Sequence, residues 1–305
     1  MNASVGVCVP TYNAGSGWEE WIRAFKNQTY IVDDVLVIDS SSSDQTVDLC
    51  KSNQLNVEII NKKTFNHGGT RQFGVNLLSK SDIIIFLTQD AILASDRAIE
   101  KIIEVFGDQD IGAAYGRQLP RKGAGAIESH ARLYNYPTIS ITKSIKDKNT
   151  LGIKVAFISN SFAAYKKEYL LDVGGFPSNT ILSEDMYVAA KMLMKGWKIA
   201  YCAESCVYHS HDYTFIEEFK RYFDIGVFHA REPWIREEFG SAEGEGKKYI
   251  ISEIKYLLKK QWHLIPSSLF RNALKYIGYR LGANEKLFTD QIKAKLSMHK
   301  KFWNT

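Results

Sequence analysis

Asp82-Ile-Ile-Ile-Phe-Leu-Thr-Gln-Asp-Ala91 is the stretch around which the chain is organised. Ile83 to Leu87 are five apolar residues in a row, too few to cross a membrane and suited to a strand buried on both faces. The run then stops at Thr88, Gln89 and Asp90. A buried parallel strand ending in an acid puts a carboxylate at the carboxyl edge of the sheet, where open α/β folds bind ligands.

Working outward, strand and helix alternate. Ser4 to Val9 reads as a buried first strand, and Pro10-Thr11-Tyr12-Asn13 turns the chain into a helix from about Trp18 to Asn27. Asp34 to Asp39 is a second strand, followed by a polar loop from Ser40 to Asp44 and a helix to about Lys51. Asn56 to Asn61 makes a third strand, Gly69 to Ser79 a helix, and Asp82 to Leu87 the fourth strand. Asp96 is the expected cap of a helix over 97–106, and Ile111 to Arg117 is a further strand. Such alternation predicts an α/β fold on a mainly parallel sheet. Neither a Gly-x-Gly-x-x-Gly turn nor a Walker lysine loop is present, which argues against a dinucleotide or P-loop site.

Beyond the first half the pattern breaks. Gln118 to Thr150 is rich in Gly, Lys, Ser and Thr, too long for a plain connection, and is expected to be a mobile segment over the site. Order is expected to return at Val155 to Ala164, then Gly174-Gly175-Phe176-Pro177, a helix from Ser183, its N-cap, to Lys195, and a strand over Lys198 to Cys202. Helices are expected over Phe215–Ala230, Lys247–Leu258, Pro266–Leu281 and Glu285–Phe302.

The chain has 305 residues, 45% of them hydrophobic, enough for a large core, and a formal charge of +5. That charge is uneven. Residues 247–305 hold thirteen basic and three acidic side chains, a net +10, leaving −5 for the rest. Four scattered cysteines outline neither a disulfide framework nor a zinc site, so a reducing cytosol is the expected compartment. No signal peptide and no apolar run of spanning length is visible.

Several side chains sit where chemistry would want them. Asp39 and Asp90 follow buried strands; the first suits a nucleobase or ribose contact or a loop-capping role, and the second a divalent metal held against a diphosphate. Glu184 and Asp185 open a helix, where the macrodipole favours ionised carboxylates; helix-dipole compensation accounts for both, and a general base is the functional reading of Asp185. Asn66-His67-Gly68-Gly69-Thr70-Arg71 pairs glycines with a helix start and an arginine, a pattern that fits an anion site. His209 and His211 alternate, so an extended segment would face only one of them toward a metal.

Pro10-Thr11-Tyr12-Asn13, Val37-Ile38-Asp39-Ser40-Ser41-Ser42-Ser43-Asp44, Phe86-Leu87-Thr88-Gln89-Asp90-Ala91, Gly174-Gly175-Phe176 and Ser183-Glu184-Asp185 follow one another as they do in family 2 glycosyltransferases. The resemblance spans roughly residues 3–212. With Asn66 to Arg71 and Thr88 to Ala91 the chain looks like the bacterial branch that transfers L-rhamnose from dTDP-L-rhamnose in O-antigen and polysaccharide synthesis.

That resemblance implies a GT-A fold, a nucleotide-sugar donor and inversion at the anomeric carbon. Residues 1–214 form the expected catalytic domain, its donor half about 1–117 and its acceptor half about 118–214, with a helical basic region over 215–305. Pro10, Thr11, Tyr12, Asp39, His67, Gly68, Arg71, Gln89 and Asp90 are the implied donor contacts, with Glu184 on the acceptor side. Asp185 falls on the catalytic base. Asp90 matches the second acid of the family's Asp-x-Asp and His211, preferred to His209, an extra ligand for Mg²⁺ or Mn²⁺; Thr88 replaces the first acid, which weakens the hold on metal. The basic, aromatic helices after residue 246 suit an anionic membrane surface on the inner face of the plasma membrane, a lipid-linked saccharide acceptor, or a homodimer contact. No nucleic-acid module accompanies them. Competing readings are a UDP-sugar transferase, a sugar-phosphate nucleotidyltransferase, which residues 10–17 disfavour by lacking Lys and Arg, and a non-catalytic sugar-nucleotide-binding module.

Overall fold

Val5–Thr11 (β1) is buried over most of its length, and the chain leaves it for Gly17–Lys26 (α1). There follow Asp34–Asp39 (β2), Thr46–Ser52 (α2), Asn56–Ile59 (β3), His67–Leu77 (α3), Ile83–Leu87 (β4), Ile92–Leu93 (β5), Ala98–Glu104 (α4) and Ile111–Leu119 (β6). Ala126–Asn135 (α5), Ile141–Lys143 (β7), Lys148–Leu151 (α6), Phe162–Lys166 (β8), Lys167–Asp172 (α7), Glu184–Met194 (α8) and Lys198–Tyr208 (β9) complete the α/β part. Phe215–Arg231 (α9), Pro233–Phe239 (α10), Glu245–Lys260 (α11), Ile265–Ala283 (α12) and Asp290–Leu296 (α13) close the chain. The protein is seen here as a computed structural model, which describes residues 3–240 and 244–303.

Nine strands form one sheet in the order β3-β2-β1-β4-β8-β6-β9-β5, with β7 paired to β9. The β3-β2-β1-β4 half is parallel, as the alternation of strand and helix requires. Past β4 the sheet is mixed: β8 runs antiparallel to both β4 and β6, and β5 and β7 run antiparallel to β9. The mainly parallel expectation therefore holds for the first half and for the long β6–β9 pair, and is broken by β8, β5 and β7. Crossover helices make parallel pairs legible, whereas β8 enters through irregular turns that carry no such signal.

The five-residue run is buried on both faces. Ile83, Ile85 and Leu87 pack with Trp18, Trp21 and Phe25 of α1, and Ile84 and Phe86 pack on the opposite face with Tyr165 and Phe176. That second core continues without a break into Phe223, Val227, Phe228, Ile235, Phe239 and Trp303, from both sides of residue 214.

Three local expectations are corrected, and the N-cap of α8 is met with an unexpected geometry. Residues 118–150 carry α5, β7 and α6, not a mobile cover. Their order comes from distant partners: His130 Nε2 lies 3.0 Å from Ser252 Oγ, and buried Lys143 donates to the Phe157 carbonyl at 2.6 Å. Asp96 does not cap α4, whose N-cap is Arg97 without a side-chain bond. Ser183 does hold the N-cap position of α8, but at φ +60° and without a side-chain bond. The expected helix over 285–302 breaks, because Glu285 is buried against Arg231 and Lys293, and Ser297 is extended.

Candidate active site

Parallel pairing brings the carboxyl ends of β1, β2 and β4 to one edge, with Thr11 opposite Asp39 and Cys8 opposite Phe86. Asp39 is fully buried there. It accepts from Thr11 Oγ1 at 2.9 Å, from the Ser42 amide at 2.7 Å and from Ser42 Oγ at 2.6 Å, so its carboxylate holds the loop after β2 rather than opening to solvent. Pro10 is half-buried within β1 and Tyr12 is exposed beside the same edge, its ring under Lys62 Nζ at 3.8 Å. Gln89 fixes that wall: its Oε1 accepts from the Tyr12 amide at 2.7 Å and its Nε2 donates to the Tyr12 carbonyl at 3.1 Å.

One step beyond Gln89, Asp90 meets two histidines. His209 Nε2 lies 3.4 Å from Asp90 Oδ1 and His211 Nδ1 lies 3.8 Å from Asp90 Oδ2. One ligand atom from each of the three falls within 4.8 Å of the others. Both histidines face the acid, contrary to the expectation of one, because β9 ends at Tyr208 and the residues after it leave the strict alternation of a strand.

Burial works to raise the Asp90 carboxyl, but its polar neighbours His209, His211 and Thr88 outweigh it and hold the acid below the usual carboxylate range. Burial lowers both imidazoles, His211 to about 3, so they stay neutral with lone pairs to offer. The His209 tautomer is fixed from behind. Arg132 Nη1 donates to Gln118 Oε1 at 2.9 Å, and His209 Nδ1 donates to the same oxygen at 2.9 Å, which leaves the Nε2 lone pair on the Asp90 side, where a cation and not the carboxylate can take it. One carboxylate and two neutral imidazoles fit a divalent ion such as Mn²⁺ better than they fit Mg²⁺, which prefers oxygen.

A second group of acids lies at the start of α8. Glu184 is buried and pairs with Arg71 Nη1 at 3.0 Å. Asp185 is half-buried and accepts from the Asn160 amide at 3.1 Å, while Asn160 Nδ2 donates to Glu184 Oε1 at 3.1 Å and Tyr165 OH donates to Asn160 Oδ1 at 2.7 Å. Burial works to raise the Glu184 carboxyl, yet Arg71 and His67 keep it low; burial and the neighbouring Glu184 push Asp185 up to about 6. Two adjacent carboxylates are thus driven apart, and Asp185 becomes the more basic of them.

The anion site expected at Asn66 to Arg71 is filled by protein. Asn66 Oδ1 accepts from the Gly69 amide at 2.8 Å, Gly68 lies against the Pro177 carbonyl so closely that a Cβ would collide with it, and Arg71 is spent on Glu184. His67 is half-buried and packs against His299, ring centroids 5.0 Å apart. Other cations reach the metal group. Arg121 Nη2 donates to the Asp90 carbonyl at 2.5 Å and lies 3.6 Å from Asp90 Oδ2. Arg221 lies over the Tyr213 ring at 5.7 Å, which abuts His211 at 5.0 Å, and makes no ion pair or hydrogen bond among the described residues.

The two groups of acids are joined through one short loop. Gln118 Nε2 donates to Ser159 Oγ at 2.9 Å, and the next residue, Asn160, holds Asp185. Gln118, Asn160, Arg121, Arg132 and Arg221 were not singled out in the sequence. Gln118 alone carries a usable signal, being polar directly after the strand expected over Ile111 to Arg117, although β6 in fact runs on to Leu119.

A model of the family described as "Glycosyl transferase family 2" matches residues 6–174, more than half of the chain. The chain belongs to glycosyl transferase family 2. This family 2 transferase is 49% identical over 302 residues to the O-antigen chain rhamnosyltransferase RfbN of Salmonella typhimurium, covering 98% of this chain and 96% of that protein. It is 46% identical to the O-antigen chain rhamnosyltransferase WbaN of Salmonella anatum, covering 99% and 96%. Among solved structures it resembles the mannosyltransferase PcManGT of Pyrobaculum calidifontis in complex with GDP-Man and Mn²⁺, with TM-score 0.60 and 18% identity over 97% of this chain and 85% of that one. Residues 1–349 of S. aureus TarS in complex with UDP-GlcNAc give TM-score 0.54 and 15% identity over 93% and 91%. These likenesses establish a GT-A-like fold and a glycosyltransferase.

Proposed function

We propose that the chain transfers L-rhamnose from dTDP-L-rhamnose, with inversion, to a hydroxyl of a lipid-linked saccharide during O-antigen synthesis. The observation that carries this reading is the near full-length likeness to two Salmonella O-antigen rhamnosyltransferases. The site supports it with a single basic carboxylate, as a one-step displacement requires.

In this account Tyr12, held by Gln89, forms a wall of the donor pocket, and Asp39 acts indirectly by shaping the loop after β2. Asp185 takes the proton of the acceptor hydroxyl as its oxygen bonds to the anomeric carbon and the bond to the dTDP oxygen breaks. Asn160 fixes the direction of that carboxylate. Arg121 and Arg221 face the charge that develops on the leaving diphosphate, the role expected of Arg71. A divalent ion held by Asp90, His209 and His211 would neutralise the same charge. No helix among the described residues is long and apolar enough to cross a membrane, and a peripheral position on the inner face of the plasma membrane would bring the lipid-linked acceptor within reach.

A donor panel tests the reading. Purified protein with a lipid-linked acceptor should release dTDP from dTDP-L-rhamnose and leave UDP-hexoses and UDP-N-acetylhexosamines intact; turnover of a UDP-sugar alone would overturn it.

A further inference from the structure

α12 uses its large apolar residues in the wrong place for a helix surrounded by water. Toward α9 it presents Gly278 and Gly282, which lie so close to the Phe219 and Phe223 carbonyls that a Cβ at either would collide with them; Gly226 of α9 meets the Tyr279 carbonyl in the same way. Small residues make that contact by letting backbones meet. The outward face carries Leu269, Phe270, Ala273, Tyr276 and Ile277, at helical spacing and all exposed, Tyr276 to 65%. Phe215 extends this stripe, its ring 5.2 Å from Phe270, and Trp262 stands 71% exposed at the turn before α12.

Exposed charge along α11 and α12 after residue 246 is basic, while Asp212 and Glu217 are exposed acids beside Phe215. Lys247, Lys255, Lys259 and Lys260 of α11 and Arg280 of α12 are exposed, while of the three acids after residue 246 Glu253 and Glu285 are buried and Asp290 pairs with Lys293. An exposed apolar helix face on a helix pair rich in exposed cations complements an anionic bilayer, whose headgroups attract the lysines while the rings enter the interface. The stripe also adjoins the site: Phe215 follows two residues after Tyr213, whose carbonyl accepts from Arg271 Nη1 at 2.6 Å and whose ring abuts His211.

We infer that the outer face of α12, with Phe215 and Trp262, seats on an anionic lipid surface and sets the mouth of the catalytic site against it. The inference rests on the lipid-linked acceptor proposed above only for its purpose; the surface itself is tested without donor or acceptor. Full-length protein should sediment with phosphatidylcholine vesicles containing about one third phosphatidylglycerol, bind neutral vesicles far less, and lose binding in high salt. Phe270→Ser with Ile277→Ser should cut vesicle binding about tenfold or more. Because both side chains point outward, the melting temperature and the release of dTDP from donor in detergent should stay unchanged. Equal binding to neutral and anionic vesicles, or undiminished binding by the double variant, overturns the inference. So does a concentration-dependent dimer that the same two substitutions abolish, since a second copy would then cover the stripe. Loss of donor turnover with vesicle binding intact would instead count against the proposed reaction.

Discussion

Gln118 Oε1 lies 2.9 Å from His209 Nδ1, and that hydrogen bond decides which nitrogen of the imidazole points at Asp90. Arg132 has only donors and occupies the same oxygen, so the amide cannot be turned round without losing an ion-assisted bond. A divalent ion at Asp90, His209 and His211 would thus have Gln118 as a positioning residue. Gln118→Leu should weaken Mn²⁺ binding about 10- to 100-fold, and Gln118→Glu, which keeps the acceptor, should largely restore it. An electron paramagnetic resonance titration of free Mn²⁺ reads this directly. Identical affinity in wild type and the leucine variant would show that the tautomer is set elsewhere.

Metal binding should depend on all three side chains that meet behind β4. Asp90→Asn and His209→Ala should each weaken Mn²⁺ and, with metal present, weaken donor affinity as well. Donor titrations by calorimetry with and without EDTA are the check. Equal donor affinity in the two conditions would remove the ion from the binding step.

The acid limb of the activity profile should report Asp185. A base works deprotonated; its pKa of about 6 leaves it roughly nine-tenths ionised at pH 7 and only about one-tenth at pH 5, so kcat/KM should fall through that window as pH drops. His211 does not confuse the assignment, because burial pushes it down to about 3 and keeps it neutral through that window. A limb centred near 4, the ordinary carboxylate range, would contradict the raised basicity.

Two arginines should behave in opposite ways. Arg71→Met leaves Glu184 buried without its partner and should destabilise the fold by about 3–5 kcal/mol in urea unfolding. Arg221→Ala removes an exposed guanidinium and should leave stability within about 0.5 kcal/mol while weakening dTDP binding about tenfold. If Arg71→Met unfolds at the wild-type urea concentration, the ion pair is not structural.

The half of the fold built on β1 to β4 was readable because each buried run ends in a turn residue and each crossover is a helix. Residues 118–150 were not, since α5 is held by Ser252 and Glu253 of α11, more than a hundred positions away, and no local pattern records that contact. The same limit divides the site. Asp90 and Asp185 stood out as acids at element ends, but the sequence assigned Arg71 to phosphate because nothing in it revealed that Glu184 lies 3.0 Å from that guanidinium. Asn160 was invisible for a similar reason: its work is to bridge two carboxylates that its neighbours in the chain do not touch.

In the proposed reaction Asp185 removes the acceptor proton as rhamnose leaves dTDP-L-rhamnose. Transfer of labelled rhamnose to a lipid-linked acceptor, measured for wild type and Asp185→Asn beside donor affinity in the same preparations, tests it. Wild type should transfer the sugar, and the variant should lose about 10²-fold or more in rate with donor affinity unchanged. Transfer by the variant at close to the wild-type rate, with the label intact and the donor bound, would contradict it.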